Sequence, residues 1–376
     1  MAAKKRSIKA NQESKNINSG DHGGYPRCNG VAAEHKVPAA AAADTINLWQ
    51  SRCRPQLAVA VGVVFLLLPA LQAYLEPPSA FWQYVLAACL FLTACRVITF
   101  ERWGHELPYV RRFLACFAAM VAELLVENLM VWVVSATDAR NQELVPGLQD
   151  NGEALLHSLA GSNGWLHFFI HGKWFDIKHF LGAILLLAFS NMWEQHPFSS
   201  FGMMARFSLT ICVARLLRTA CFMSTVLPSP TPGCYMRRFP PPPRSWFGIV
   251  WIGVTELRGF GGCNDLIFSG HASFWTVAPL MFCSYYPNRF SSPLLWLALL
   301  QTCIRDIIDR QHYTVDMILA VAVTTAAWGW TRRVYPEDAP LPSSEGEADG
   351  RPTAAALLLV VVGLATAAVA VFVAKS

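Results

Sequence analysis

The chain has 376 residues, of which 54% are hydrophobic and only 15% charged, with a formal net charge of +5. Soluble domains carry about a quarter charged residues, so this balance excludes an ordinary water-soluble enzyme and points to the membrane class. The small positive excess, with no basic stripe interleaved with aromatics, excludes a nucleic-acid binder and suits an anionic lipid surface.

In chain order, residues 1–50 are polar, carry Lys4, Lys5, Arg6, Lys9 and Lys15, and read as a disordered cytoplasmic tail with no signal peptide. Residues 51–200 are read as N-terminal membrane helices, with apolar stretches at 57–75, 81–99 and 113–135 and a shorter one at 180–193. Residues 201–335 are read as a catalytic membrane core, with stretches at 207–227, 272–286, 293–308 and 315–330. An acidic linker, 336–352, leads to the charge-free run 353–374, read as an extra C-terminal transmembrane helix within 353–376. About 20 apolar residues cross a bilayer core as a helix. The expected fold class is therefore all-α, a polytopic membrane helix bundle.

Glu123 and Glu127 interrupt the third stretch four residues apart. They either face the bundle interior or mark a helix lying partly in the interface. The positive-inside rule places the loop 100–112, the loop holding Arg206, Arg289 and the pair Arg332–Arg333 on the cytoplasmic side. Loops 136–161 and 228–270 then fall on the lumenal or exoplasmic side, although Arg237, Arg238 and Arg244 count against this. Residues 228–244 are rich in proline and are expected to be extended rather than helical. The eleven cysteines show no CxxC and no zinc spacing. Cys234 and Cys263 share the 228–270 loop, where a disulfide and two free thiols are both open readings.

Two histidine motifs carry the chemistry, Ser269-Gly270-His271 and His312-Tyr313-Thr314-Val315-Asp316. Two apolar stretches separate them, so a chain that crosses and returns brings both imidazoles to one membrane face. With His312 and Asp316 on one helix face, the carboxylate is expected to fix the ring's tautomer and free the other nitrogen for attack. Gly270 allows close backbone approach to a ligand, and the helix starting there offers free N–H donors to a phosphate; an N-cap at Ser269 fits the same residues. One imidazole then attacks phosphorus while the other protonates the leaving alkoxide. Arg218 and Arg310 are the preferred phosphate clamps; snorkelling to the interface is the alternative for Arg215, Arg305 and Arg310, and the simpler reading for Arg215.

Cys263-Asn264-Asp265-Leu266-Ile267-Phe268-Ser269-Gly270-His271-Ala272 resembles the sphingomyelin synthase signature C-G-D-x-x-x-S-G-H-T. His312 to Met317 is similar to its partner H-Y-T-x-D-V, and Arg218 through Leu227-Pro228 resembles the family's third-helix segment. Asn264, Ala272 and Met317 depart from the pattern, and the early P-P-L-P-D segment is not evident. The resemblance implies a six-helix lipid-phosphatase-like core and a site on the lumenal or exoplasmic face of Golgi, endoplasmic reticulum or plasma membrane. It further implies no metal and no cofactor. His312 would attack a glycerophospholipid such as phosphatidylcholine, held by Asp316, and His271 would protonate the leaving diacylglycerol. The phosphohistidine would then pass its head group to ceramide, with Asp265 and Ser269 among the substrate contacts.

The head group (choline, ethanolamine or inositol phosphate) and the acceptor (ceramide or diacylglycerol) stay open, as does a homo-oligomer. A cholinephosphotransferase acting on diacylglycerol, a lipid phosphate phosphatase and a non-catalytic lipid-binding relative are the rivals.

Overall fold

The computed structural model describes residues 103–335 except 139, 141–143, 173, 194–197, 240, 242, 257–261 and 287–288, together with 91, 95 and 97–100. The tail 1–50, the stretch 57–75, most of 81–99, the linker and the final apolar run lie outside the described residues. Within them all regular structure is helical: α1 (Trp103–Thr137), α2 (Asn151–Ser162), α3 (Gly164–His171), α4 (Ile177–Trp193), α5 (Ser200–Ser224), α6 (Cys234–Arg238), α7 (Trp246–Thr255), α8 (Gly270–Tyr285), α9 (Ser291–Ile308) and α10 (Thr314–Val334). Helices cover most of each of the six described stretches expected to be apolar spans. By length and composition, α1 and α5 are sufficient to cross a membrane.

α8 is the central helix, packed on α4, α5, α9 and α10. Its sequence explains the position. Ala272, Trp275, Val277, Ala278, Met281 and Phe282 are buried on several faces of the helix, as in a helix enclosed by its neighbours. Its polar Ser273 and Thr276 are also buried, and they return their hydroxyls to the carbonyls of Ser269 and Ala272. α1 and α5 form the largest helix pair. Their ends are joined by Glu106, which accepts from Ser199 Oγ at 2.6 Å and from the N–H groups of Ser200 and Phe201 at 3.1 and 3.2 Å. A carboxylate at the start of α5 satisfies N–H donors that have no partner within the helix.

Several loop assignments are corrected. Arg111 and Arg112 lie inside α1, not in a loop. Arg206 is buried within α5; its guanidinium lies 3.6 Å from the Trp328 ring centroid and donates to the Trp328 carbonyl at 2.8 Å. It therefore locks α5 to α10 and carries no weight in a loop-charge count. The two long loops hold helices of their own. Asp150 and Asn163 cap α2 and α3, and Ser245 caps α7. The proline-rich segment is not helix-free either: Gly233, at φ 67°, turns the chain into the single helical turn α6.

Candidate active site

Asp316 is the point at which the two histidine motifs meet. It sits at the third position of α10 and is fully buried. Its Oδ2 accepts from the Tyr313 N–H at 3.0 Å and lies 3.2 Å from His312 Nδ1. Its Oδ1 accepts from the Ile267 N–H at 2.9 Å, and its carbonyl accepts from the Ser269 N–H at 3.3 Å. One carboxylate thus positions a ring from the second motif and the backbone of the first.

The helical reasoning behind this pair is corrected. His312 precedes α10, whose N-cap is Tyr313, so the two side chains do not share a helix face. Asp316 instead reaches back over the helix start in a capping box. The chemical consequence is unchanged: a carboxylate accepts only, so Nδ1 carries the proton and Nε2 points away with its lone pair. The His312 side chain is 11% exposed.

His271 stands in the first turn of α8, beside Trp275 at 5.8 Å between ring centroids. It is close enough to His312, Arg215, Arg218 and Asp265 to interact electrostatically with each. Ser269 Oγ accepts from the Ala272 N–H at 3.3 Å as the N-cap of that helix, and the residue is fully buried. Gly270 does make a close approach, but to arginines: a Cβ there would sit 3.3 Å from Arg215 Nη1 and Arg218 Nε. Just upstream, Ile267 has φ 76°, an unfavourable conformation for a β-branched residue. Its hydrogen bond to Asp316 holds it there, and such strain concentrates where geometry matters.

Beneath the histidines lies a buried charge network. Arg218 donates Nε to the Phe268 carbonyl at 2.7 Å, Nη2 to Asp265 Oδ2 at 2.5 Å and to the Asp265 carbonyl at 3.1 Å, and Nη1 to Glu127. Arg215 meets Glu127 at 2.7 Å and Glu123 at 3.4 Å. Both glutamates therefore face the bundle interior. Most of Arg218's donors already serve the protein. Burial alone would raise the Asp265 carboxyl, but Arg218, the Gly262 N–H and His312 together hold it below the usual carboxylate range. Arg310 lies apart, more than half exposed, and pairs with Glu153 of α2 at 2.5 Å.

Reading the sequence stretch by stretch left Glu123 and Glu127 unmatched to Arg215 and Arg218. The signal was available: two apolar helices each carry an ionisable pair one turn apart, with opposite signs. Asp150 was missed as well. It caps α2 through Gly152 and Glu153, and its Oδ2 also accepts from the Thr314 N–H at 2.7 Å, so it caps α10 too. The D-x-x-E pattern from Asp150 to Glu153 marks the first cap. Asn264, which stands where the resembled signature has glycine, donates to Asp138 Oδ2 at 2.7 Å. Cys234 and Cys263 are disulfide-bonded.

Residues 262–334, the segment holding both histidines, match the family described as PAP2 superfamily C-terminal. The chain is 28% identical over 326 residues, 70% of its length and 77% of the relative's, to the protein PHLOEM UNLOADING MODULATOR of Arabidopsis thaliana. It is 27% identical over 230 residues, 57% of its length and 78% of the relative's, to phosphatidylinositol:ceramide inositolphosphotransferase 3 of the same plant. It is 25% identical over 166 residues, 42% of its length and 39% of the relative's, to phosphatidylcholine:ceramide cholinephosphotransferase 1 of Gallus gallus. The likeness carried by the two histidine motifs is thus shown: this chain has a PAP2 superfamily C-terminal region and is a relative of the sphingomyelin synthase-like ceramide phosphotransferases.

Proposed function

We propose that this protein is a membrane transferase that moves a phosphorylated head group from a glycerophospholipid to ceramide through a phosphohistidine. The observation that carries the reading is the Asp316 carboxylate, which joins His312 Nδ1 and the Ile267 N–H in one hydrogen-bonded hub. His312 Nε2 attacks the phosphorus. The bond from phosphorus to the glycerol oxygen breaks, and His271 gives its proton to that oxygen, releasing diacylglycerol. The ceramide primary hydroxyl then loses its proton to His271 and attacks phosphorus, and the bond to His312 breaks. Asp316 stabilises the imidazolium that each step develops, the role a carboxylate plays in a triad.

The remaining expected contacts divide by position. Arg215 and Arg218 lie under the first turn of α8, where they neutralise Glu123, Glu127 and Asp265 and so hold the helix start in place. Ser269 acts on substrate only through the helix start that it caps. The donor reading begins from a phosphocholine-type head group, with the named inositolphosphotransferase relatives supporting phosphoinositol as the second donor class. The disulfide supports a site facing an oxidising lumenal or exoplasmic compartment. The six helices α1, α4, α5, α8, α9 and α10 are taken as the membrane core.

The test uses membranes bearing the full chain, ceramide and phospholipid labelled at the head-group phosphate. Acid-labile label should accumulate on the protein when ceramide is withheld and chase into a ceramide product when it is added. Wild-type turnover in His312→Ala would overturn the mechanism.

A further inference from the structure

α7 carries no charged residue and packs on α1 through Ile249 and Gly253. Gly253 is required for the fit: a Cβ there would sit 2.7 Å from Leu129 Cδ1 and 3.1 Å from Leu129 Cα. Asn128 Nδ2 donates to the carbonyls of Gly253 and Glu256 at 2.5 and 3.0 Å, and Trp132 Nε1 donates to the latter at 3.4 Å. These contacts fix which side of α7 looks outward. The outward side is Trp246, Phe247, Val250, Trp251 and Val254, exposed at 64, 78, 44, 61 and 55%. Their spacing puts them on one helix face, where the Phe247 and Trp251 rings stack at 6.4 Å between centroids. Arg244, also exposed, lies two residues before the helix.

This face differs from the exposed sides of the long helices. On α1, α5, α9 and α10 the exposed large hydrophobics among the described residues are Leu, Ile, Val and Met, save Trp330 near the end of α10. Aliphatic side chains suit the hydrocarbon core, whereas aromatic rings beside an arginine suit the head-group boundary. Length and position agree with the second setting. A ten-residue helix spans about 15 Å, half the hydrocarbon core, and cannot cross it. α7 is fastened to residues 128–134 of α1, which ends at Thr137, so its seat lies within about 14 Å of that end.

We propose that α7 lies in the plane of the membrane at the head-group boundary, with its aromatic face among the acyl chains and Arg244 at the lipid phosphates. The partner of the exposed face is a phospholipid leaflet, the one nearer Thr137. An arginine in that position is a lipid contact rather than a topology signal, so Arg244 ceases to count against the placement of the 228–270 loop. The inference rests on the membrane placement of α1 proposed above and is independent of the transfer chemistry.

The full chain, with the photoreactive p-benzoylphenylalanine in place of Phe247, Trp251 or Val254, is reconstituted in vesicles of phosphatidylcholine and phosphatidylglycerol and irradiated. Mass spectrometry identifies the adducts, and alkaline extraction reports separately whether the chain is integral to the bilayer. All three probes should give phospholipid adducts, at similar depth in the glycerol half of the acyl chain. R244L should move the adducts of the probe at 247 towards the chain end, and R244K should leave them in place. Adducts confined to the chain end, a depth that differs between 247 and 254, or an unchanged depth in R244L would overturn the proposal. Cross-links to residues 57–75, 81–99 or 353–374, or to a second copy, would overturn it too, since protein would then cover the face. So would probes that capture neither lipid nor protein. In each of these cases a chain that resists extraction keeps the membrane placement of α1, whereas release by alkali would overturn both.

Discussion

Two carboxylate clusters lie one above the other around α8, and they solve different problems. Asp316 is satisfied by backbone N–H groups and one imidazole. Its partners are neutral or titratable, so its effect is to hold geometry and to respond when His312 becomes charged. Glu123, Glu127 and Asp265 instead face Arg215 and Arg218. Those partners are permanently charged, so removing one leaves an uncompensated ion in the bundle. The upper cluster should govern rate and the lower one stability.

The largest expected effect tests the upper cluster. His312→Ala should abolish head-group transfer while the protein still inserts and folds, and Asp316→Asn should lower the rate by roughly 10³–10⁴-fold, the scale seen when a triad carboxylate is neutralised. Ceramide product and protein-bound label are the measurements. An Asp316→Asn protein with full rate would show that the hub is structural only.

Next, Arg218→Ala should destabilise by about 3–5 kcal/mol, as breaking a buried ion pair does. Thermal unfolding in detergent reads this. If Arg218→Ala unfolds like wild type but loses transfer, the lower cluster belongs to the chemistry and the division above fails.

A smaller effect is expected at Asp150, which caps two helices at once. Asp150→Ala should cost about 1–2 kcal/mol. Burial alone would raise this carboxyl, but the Thr314, Glu153 and Gly152 donors lower it below its ordinary value of 3.8. Because the folded value is depressed, the stabilisation is fully present above the unfolded value and is lost as pH falls through the folded one. Acid unfolding of Asp150→Asn should lack that component.

The smallest change is Ser269→Ala, which should cost about 1 kcal/mol through the lost cap and leave the rate per folded molecule near wild type. A collapse in rate with unchanged stability would place the Ser269 hydroxyl on the substrate and sharpen the upper cluster to include it.

The two histidine motifs were legible as local patterns, because imidazoles at His271 and His312 with a carboxylate at Asp316 are conspicuous in an apolar chain. The helical character of the described residues followed from the long apolar runs. The short helices α2, α3, α6 and α7 were not foreseen, since polar caps such as Asp150, Asn163 and Ser245 act over only a few residues and leave little periodic signal. Arg206 was misplaced because a cation inside an apolar run looks like a loop end until the Trp328 ring that covers it is known.

The sequence by itself determined which groups this protein has for chemistry and that they sit in a helical, largely apolar chain, because residue type and hydrophobic run length are local properties. Only the tertiary structure decided which charges neutralise one another and that Asp316 reaches across to Ile267. Those outcomes depend on which helices α8 packs against, and a contact between residues far apart in the chain leaves no mark on the spacing of either.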